Sequence, residues 1–248
     1  MSQNRHAHLP GEYIARHQHE QHQLLYVSQG VLAVRTDHGV WVAGAQRAVW
    51  TPAHTWHEHR VYGHAMVHTL GFPLDCTPFP GSTPTVVAAS ALLRELLIAC
   101  TESDLPPQET ERLRAVINDR LRRAHVTPLQ LPRARDPRLA DACRLVLDDL
   151  AQPRTITWLA RESGVSERTL GRLFQAEFGT TYPQWRTNVR VFHAMIELTD
   201  GANVTEAAHR CGWATTSAFV DTFARVMGQT PGAYRSADAR APAVEPRG

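Results

Sequence analysis

Residues 157–235 contain nearly the same sequence pattern twice. The first copy, LARESGVSERTLGRLFQAEFGTTYPQWR, runs from Leu159 to Arg186, and the second copy, AAHRCGWATTSAFVDTFARVMGQTPGAYR, runs from Ala207 to Arg235. Matching positions keep the same order in both copies: Ala160, Gly164, Phe174, Gly179, Thr181, Trp185 and Arg186 correspond to Ala208, Gly212, Phe223, Gly228, Thr230, Tyr234 and Arg235. An internal repeat of this length predicts two copies of one structural unit.

Each copy has the pattern of a helix-turn-helix. A short helix is expected to end near Gly164 and near Gly212, because glycine adopts the left-handed conformation that a β-carbon disfavours. Ser166-Glu167 and Thr215-Thr216-Ser217 then supply hydroxyls that cap the first amides of a second helix. Apolar residues follow at helical spacing in both copies: Leu170, Leu173, Phe174 and Phe178, and then Phe219, Phe223, Val226 and Met227.

The outer face of each second helix is expected to contact DNA, since such a helix enters the major groove with its N-terminal half against the base edges. The candidate DNA-binding residues are Arg168, Thr169, Arg172 and Gln175 in the first copy, and Thr216, Ser217, Val220 and Asp221 in the second. Arginine can donate two hydrogen bonds to O6 and N7 of guanine. The alternative is that Arg168 and Arg172 only form a solvated face. Gly171, which weakens a helix by about 1 kcal/mol relative to alanine, indicates either close approach to the duplex or a tolerant solvated helix.

The runs SGVSERTLGRLF, GWATTSAF and FARVMGQTPGAYR resemble the AraC/XylS family of bacterial transcriptional regulators. The resemblance covers Asp136 to Arg235. It implies that two recognition helices enter successive major grooves of promoter DNA and that Tyr182–Thr199 is the helix connecting them. It also implies a homodimer, with RNA polymerase as a further partner. One departure is Asp221, where many members carry a basic residue.

Charge is distributed unequally between the two copies. Residues 150–192 contain six arginines and three glutamates: Arg154, Arg161, Arg168, Arg172, Arg186 and Arg190 against Glu162, Glu167 and Glu177. Residues 193–235 contain Arg210, Arg225 and Arg235 against Glu197, Asp200, Glu206 and Asp221. Because phosphate neutralisation supplies most sequence-independent affinity, we expect the first copy to anchor the protein and the second to discriminate weakly or through van der Waals contact.

The N-terminal part has the pattern of a small β-barrel or double sheet. After residues 1–10, which are expected to fray, short runs rich in β-branched residues alternate with turn residues: Leu24–Val27, Val31–Val34, Val40–Val42, Ala48–Trp50 and Ala65–Leu70. Ser28-Gln29-Gly30 and Asp37-His38-Gly39 are predicted to be hairpin turns.

Most of the 14 histidines lie in this N-terminal part, where the sequence resembles a cupin. Metal-binding cupins use an HxH pair, a carboxylate four residues further on and a later histidine. The resemblance assigns His17 and His19 to the pair and His57 to the later histidine, whereas Gln23 occupies the carboxylate position. His17, His19 and His57 are therefore candidate ligands of a divalent zinc, nickel or iron ion. Alternatively, His17, His19, Gln23 and His57 hydrogen-bond a small organic or anionic effector, or are satisfied structural side chains. The remaining histidines, His22, His54, His59, His64 and His68, are interpreted as surface or packing residues.

Between the two parts, Val86–Cys100 and Gln108–Arg123 show helical periodicity. These helices are expected either to pack on the barrel or to pair with a second subunit, and the family resemblance favours dimerisation. The predicted organisation is a sensing domain at 1–80, a helical linker or dimerisation region at 81–135, a DNA-binding domain at 136–236 and a disordered tail at 237–248. Asp136-Pro137 is expected to begin the first helix of the DNA-binding domain.

The predicted fold class is a multidomain α+β chain: an N-terminal small cupin-like β-barrel, a helical linker and a C-terminal all-α tandem helix-turn-helix. The sequence has neither the pattern of a secretory signal nor an apolar run long enough to cross a membrane. Its four cysteines, Cys76, Cys100, Cys143 and Cys211, lack the paired spacing of a disulfide framework. These features favour a cytoplasmic, nucleoid-associated protein without a membrane partner. We expect a transcription regulator whose promoter binding is modulated by a small molecule or metal in the barrel, and not an enzyme. The alternative is a metal-dependent cupin enzyme with an accessory helical domain, which would need an open coordination position on its metal.

Overall fold

The computed structural model of the chain describes residues 3–102, 105–126 and 129–239. These residues divide into two compact units. The first unit combines Met1–Asp37, Trp41–Leu129 and the segment from Tyr234 onward, and the second combines His38–Val40 with Gln130–Ala233.

The first unit is built on a sheet whose longest strands lie side by side. The strands before the first helix are β1 (Gln3–His8), β2 (Tyr13–His17), β3 (His22–Thr36), β4 (Gly39–Gly44), β5 (Arg47–Thr51), β6 (His57–Phe72) and β7 (Thr85–Ala88). They pair in the order β1-β6-β3-β4, while β2 also pairs with β6, and β5 pairs with β3 and β7. Within the described residues the pairing does not close into a ring. The strand-rich, barrel-like fold predicted for this part is confirmed.

Strand β3 is buried on both faces, which explains its nearly continuous apolar sequence. Leu24 and Tyr26 belong to a core that also contains residues of two helices, α1 (Ala91–Glu102) and α2 (Pro107–Leu121). Leu25 and Val27, on the opposite face, belong to a second core formed by the strands. The helices therefore bury one face within their own unit: Leu93, Leu97, Cys100, Ile117 and Leu121 are buried in it.

Three local predictions were wrong. Ser28-Gln29-Gly30 is not a hairpin turn, because β3 continues through it and only shifts register against β6 there, with Gly30 at φ +79°. Residues 3–8, predicted to fray, form β1 and pair with β6 in antiparallel register. Val86–Ala88 belongs to strand β7 and not to the following helix, which begins at Ala91.

The second unit contains the tandem helix-turn-helix that the repeat predicted. After a short strand β8 (Gln130–Pro132), its helices are α3 (Pro137–Asp148), α4 (Ile156–Glu162), α5 (Glu167–Phe178), α6 (Tyr182–Thr199), α7 (Val204–Arg210) and α8 (Thr216–Met227), and α9 (Pro231–Ala239) ends the described chain. Asp136 caps α3, as predicted, by accepting the Arg138 amide at 2.9 Å. Residues 240–248 of the expected disordered tail lie outside the described residues.

Across the described ranges we find no helix with both the length and the apolar content needed to cross a bilayer.

Candidate DNA interface and effector site

The start and the end of α5 are fixed by the residues that the repeat singled out. The Ser166 hydroxyl accepts the backbone N–H of Thr169 at 3.1 Å, and Gly164 in the preceding turn has φ +66°. Gly179 ends the helix in the left-handed conformation, with its N–H donating to the Gln175 carbonyl at 3.1 Å. Between these two ends, Leu170 and Phe174 lie on the buried face of the helix.

The opposite face of α5 presents cations to solvent. Arg168, Arg172 and Gln175 are exposed. Within the described part of the chain, neither arginine side chain makes a hydrogen bond or ion pair, so both guanidinium groups are available to phosphates or bases. Thr169 differs: it is half-buried, and its hydroxyl lies 2.9 Å from Ser166 Oγ, so it supports the helix cap.

Helix α8 is built in the same way but carries a different charge. Thr215 caps it by accepting the Ala218 amide at 3.2 Å, and Phe219 and Phe223 are buried beneath it. The other four candidates lie on or beside the outer face: Ser217 and Asp221 are exposed, while Thr216 and Val220 are half-buried. Asp221 has no cationic partner among the residues described, so the face presents an uncompensated negative charge. Direct DNA contact by the eight candidates remains a prediction.

The histidines of the first unit converge because β2 contains a bulge. Tyr13 and Ile14 lie opposite Arg60 and His59 of β6, and regular pairing would then place Arg16 opposite His57. The register instead shifts between Ile14 and His17, so that His17 lies opposite His57. Because a one-residue slip in a strand exchanges its two faces, this bulge turns His17 toward His57 and Arg16 away from it.

Three of the predicted site residues form a compact nitrogen cluster. His17, His19 and His57 each offer a ring nitrogen, and these atoms all lie within 4.8 Å of one another. The ring centroids of His17 lie 4.4 Å from those of His57 and 4.8 Å from those of His19. Among the described residues, these three histidines form the cluster whose spacing suits a metal ion.

Backbone carbonyls set the tautomer of two of these rings. His17 Nδ1 lies 2.7 Å from the Ala15 carbonyl and His57 Nδ1 lies 2.7 Å from the Thr55 carbonyl, so each Nδ1 carries the proton that it donates. Each Nε2 consequently holds a lone pair, as in histidines that bind metals. His57 is 1% exposed, and its buried Nε2 has no hydrogen-bond partner within the described residues.

Gln23, the fourth predicted site residue, lies against His19. Its Nε2 is 3.0 Å from His19 Nε2, and Gln23 is buried at the start of β3. Its Oε1 is buried without a hydrogen-bond partner in the described structure. Gln23 can therefore orient the His19 ring through Nε2, and Oε1 is a buried acceptor that a ligand could satisfy.

The interpretation of His59 as a surface or packing residue missed its place beside this cluster. His59 is 4% exposed, its ring stacks on His57 with centroids 5.0 Å apart, and its Nε2 is buried without a partner among the residues described. The signal was present in the sequence: His57 and His59 are two residues apart, so both point to one face of a strand.

Burial disfavours the charged form of His19, His57 and His59. It lowers the pKa of His57 to about 4, with the Thr55 carbonyl acting in the opposite direction and His17 and His19 adding to the decrease. Burial also lowers the pKa of His19, and it lowers the pKa of His59 well below the usual value. Neutral imidazoles are the form that binds a metal ion, so the lowered pKa values of His19 and His57 favour metal binding near pH 7.

Comparison with known proteins finds a domain family in each part of the chain. A helix-turn-helix domain family matches residues 159–237 and a cupin domain family matches residues 6–71. The chain is 29% identical over 221 residues to the HTH-type transcriptional regulator NimR of Escherichia coli, which covers 88% of this chain and 81% of NimR. It is 35% identical over 101 residues to a putative AraC-like transcription regulator of Streptomyces lividans, covering 40% of this chain and 33% of that protein. The solved DNA-binding domain of AdpA in complex with a target DNA is 34% identical, covers 43% of this chain and 97% of that chain, and aligns with a TM-score of 0.41.

The two matched regions do not overlap, and they coincide with the strand-rich part and the tandem helix-turn-helix. The NimR match extends across both of them. The chain carries a cupin domain at residues 6–71 and a helix-turn-helix domain at residues 159–237, and the relatives that it matches are named HTH-type or AraC-like transcriptional regulators.

Proposed function

We propose that this regulator binds promoter DNA under the control of a divalent transition metal held by His17, His19 and His57. Zinc, nickel and iron are the candidates, since imidazole suits all three. Gln23 acts beside the metal by orienting His19. The buried, unpartnered Nε2 of His57 carries this proposal, because a buried polar atom without a partner is costly unless a ligand satisfies it.

The tautomers support a metal ion over a purely structural cluster. Structural histidines are expected to use both ring nitrogens in hydrogen bonds within the protein. Here the Ala15 and Thr55 carbonyls satisfy one nitrogen each of His17 and His57, and among the described residues no group donates a hydrogen bond to the other nitrogens. Carbonyl acceptors on the far side of a ligating histidine are the usual outer support of metal sites.

The DNA-binding half acts through unequal helices. Helix α5, with exposed Arg168 and Arg172, supplies affinity through phosphates and specificity through guanine edges. Helix α8, with exposed Asp221, adds shape recognition with little electrostatic attraction. For metal to regulate promoter binding, the two must be coupled: the metal-bound and metal-free proteins must differ in their affinity for DNA.

Two further features remain proposals. A homodimer would use the outer faces of α1 and α2, since their inner faces are buried; Leu92 is 51% exposed and Val116 is 40% exposed there. RNA polymerase is the expected partner if the regulator activates transcription. The enzyme alternative is disfavoured because relatives that are similar over both parts of the chain are named transcriptional regulators.

Thermal unfolding of the full chain with Zn²⁺, Ni²⁺ or anaerobic Fe²⁺ tests metal binding. A metal present at about 100 times its Kd stabilises the native state by about 2.7 kcal/mol. We expect at least one of these ions to raise the melting temperature of the wild-type protein, and His17→Ala and His57→Ala to remove the increase. His64→Ala is the matched control, because His64 is an exposed histidine of the same strand β6. Equal responses of all four proteins would reject the site.

A further inference from the structure

Resting on the proposed metal site, we infer that the site takes a small anion as an additional ligand and that His59 holds this anion by a hydrogen bond. The anion is of the carboxylate class, with at least one oxygen able to bind the metal and to accept from an imidazole N–H. His59 is then a specificity-determining residue for the effector and not a metal ligand.

The first argument is charge. Among the described residues, the donor group contains imidazoles and no carboxylate, and Gln23 places a neutral amide where an acidic residue would lie. Three neutral ligands leave the full double charge of a divalent ion inside the first unit. His57 is buried while His17 and His19 are half-buried, so the ion is partly removed from water, and an anion that enters with the metal lowers the free energy of the bound state.

The second argument is the open coordination position. Three protein nitrogens fill three positions of a tetrahedral ion, and a fourth is left for an external ligand. The ring nitrogens of His17, His19 and His57 all lie within 4.8 Å of one another. His59 is outside this group, although its ring lies 5.0 Å from that of His57 and 5.3 Å from that of His17. It is thus placed to contact a molecule bound at the cluster.

The third argument is the unsatisfied nitrogen of His59 itself. The side chain is 4% exposed, and its buried Nε2 has no partner within the described structure. Its strand neighbours cannot satisfy it, because Glu58 accepts the Tyr13 hydroxyl at 2.7 Å and pairs with Arg35 at 3.4 Å on the other face of β6. A neutral imidazole protonated at Nε2 is a hydrogen-bond donor, and an anion at the cluster is the acceptor that it lacks.

Cobalt(II) provides the test, because its visible absorption reports the number and type of its ligands. The full chain is titrated with Co²⁺, and the loaded protein is then titrated with acetate and with azide. We expect Co²⁺ to develop an intense tetrahedral spectrum and each anion to change it in a saturable manner. His59→Leu should weaken anion binding by about tenfold or more, as loss of an outer-shell partner does, while Co²⁺ affinity changes much less. His59→Gln, which retains an N–H donor, should recover most of the anion affinity.

The outcomes separate the two proposals. If Co²⁺ develops no protein-dependent spectrum, the metal site is wrong and the inference falls with it. If Co²⁺ binds but neither anion alters the wild-type spectrum, the metal site stands and the anion inference is overturned. The same holds if His59→Leu and His59→Gln both bind the anions as tightly as the wild-type protein.

Discussion

Gly212 lies directly against the backbone of Leu150, so that a β-carbon at position 212 would overlap the Leu150 carbonyl oxygen. The same carbonyl accepts a hydrogen bond from Arg190 Nη2 at 3.2 Å, and the Arg190 guanidinium lies 5.6 Å from the centroid of the Trp213 ring. Leu150 precedes the first helix-turn-helix, Arg190 lies on α6, and Gly212 is the turn glycine of the second helix-turn-helix. This contact therefore holds the two halves of the repeat against each other.

Gly212→Ala should destabilise the helical unit more than Gly164→Ala, its counterpart in the repeat. Both glycines have positive φ, +81° and +66°, so each substitution costs about 1–2 kcal/mol of backbone strain. At Gly164 an added β-carbon meets no atom within 4 Å, whereas at Gly212 it meets Leu150, Arg190 and Ala151. Overpacking should add about 1–3 kcal/mol at Gly212 alone. Denaturant unfolding of the helical unit measures both values, and equal losses would show that the contact does not constrain the fold.

Gly171→Ala should stabilise the helical unit without loss of promoter affinity. A β-carbon at Gly171 would lie 3.9 Å from Ile156 Cδ1, which is ordinary van der Waals contact inside the first helix-turn-helix. Replacing glycine by alanine in a helix interior contributes about 0.8–1 kcal/mol. Denaturant unfolding and fluorescence anisotropy with promoter DNA check the two parts. A large loss of affinity would instead indicate that the duplex approaches the backbone at Gly171.

Arg172→Ala should weaken binding to the cognate site by about 1–3 kcal/mol and relax the preference at one base pair. Arg144→Ala is the matched control. Arg144 is also exposed in the same unit, but it lies on α3 and is paired with Asp141 at 3.2 Å. Competition anisotropy against operators with single base-pair changes measures affinity and preference together. If the two variants behave alike, Arg172 does not read a base.

Asp221→Asn should raise non-specific DNA affinity and steepen its dependence on salt, because a negative charge near phosphates is removed. The informative quantity is the slope of the logarithm of the binding constant against the logarithm of the salt concentration, since this slope reports how many phosphates are neutralised. Binding to a scrambled duplex at several salt concentrations provides it. An unchanged slope would place Asp221 away from the DNA backbone.

His68 should make the first unit sensitive to acid. The Ser28 hydroxyl lies 3.0 Å from His68 Nε2, and His68 Nδ1 lies 2.6 Å from Thr101 Oγ1, whose own proton is directed to the Leu97 and Ile98 carbonyls. Burial lowers the pKa of His68 to about 4 from the ordinary 6.5, so the imidazole is neutral in the folded protein near pH 7. The unfolded chain therefore takes up a proton between pH 6.5 and pH 4 that the folded chain does not.

The contribution of His68 to stability is complete above about pH 6.5 and decreases by up to about 1.4 kcal/mol per pH unit as the pH falls toward 4. His68→Gln lacks this proton uptake. Calorimetric unfolding of the first unit should therefore show a difference between wild type and variant that shrinks across this window. A difference that stays constant with pH would mean that His68 is not held neutral.

The helical half was predictable because its rules are local. Capping hydroxyls and turn glycines act within four residues, so Ser166, Gly179 and Thr215 could be placed from their neighbours alone. The packing of Gly212 on Leu150 could not be predicted, since the repeat makes Gly164 and Gly212 look equivalent and only the tertiary structure distinguishes them.

The strand-rich half was less predictable because its register depends on distant segments. A glycine with positive φ is typical of both hairpin turns and bulges, and at Gly30 the close approach of His64 and Ala65 of β6 accompanies the bulge. The same reason explains β1, whose polar sequence becomes a strand only through pairing with β6. It also explains His17, whose direction is set by a bulge in β2 that no residue type announced.

Promoter affinity as a function of metal concentration tests the central claim most directly. Anisotropy with the DNA upstream of its own gene is measured on wild type, the double variant His17→Ala/His57→Ala and the control His64→Ala. We predict that the metal identified by thermal unfolding changes the Kd of the wild type and the control by at least about fivefold, in the range of coupled sites. The double variant should keep its metal-free Kd and lose the change. If promoter affinity is the same with and without metal in all three proteins, or if the double variant still responds, metal control through this cluster is contradicted.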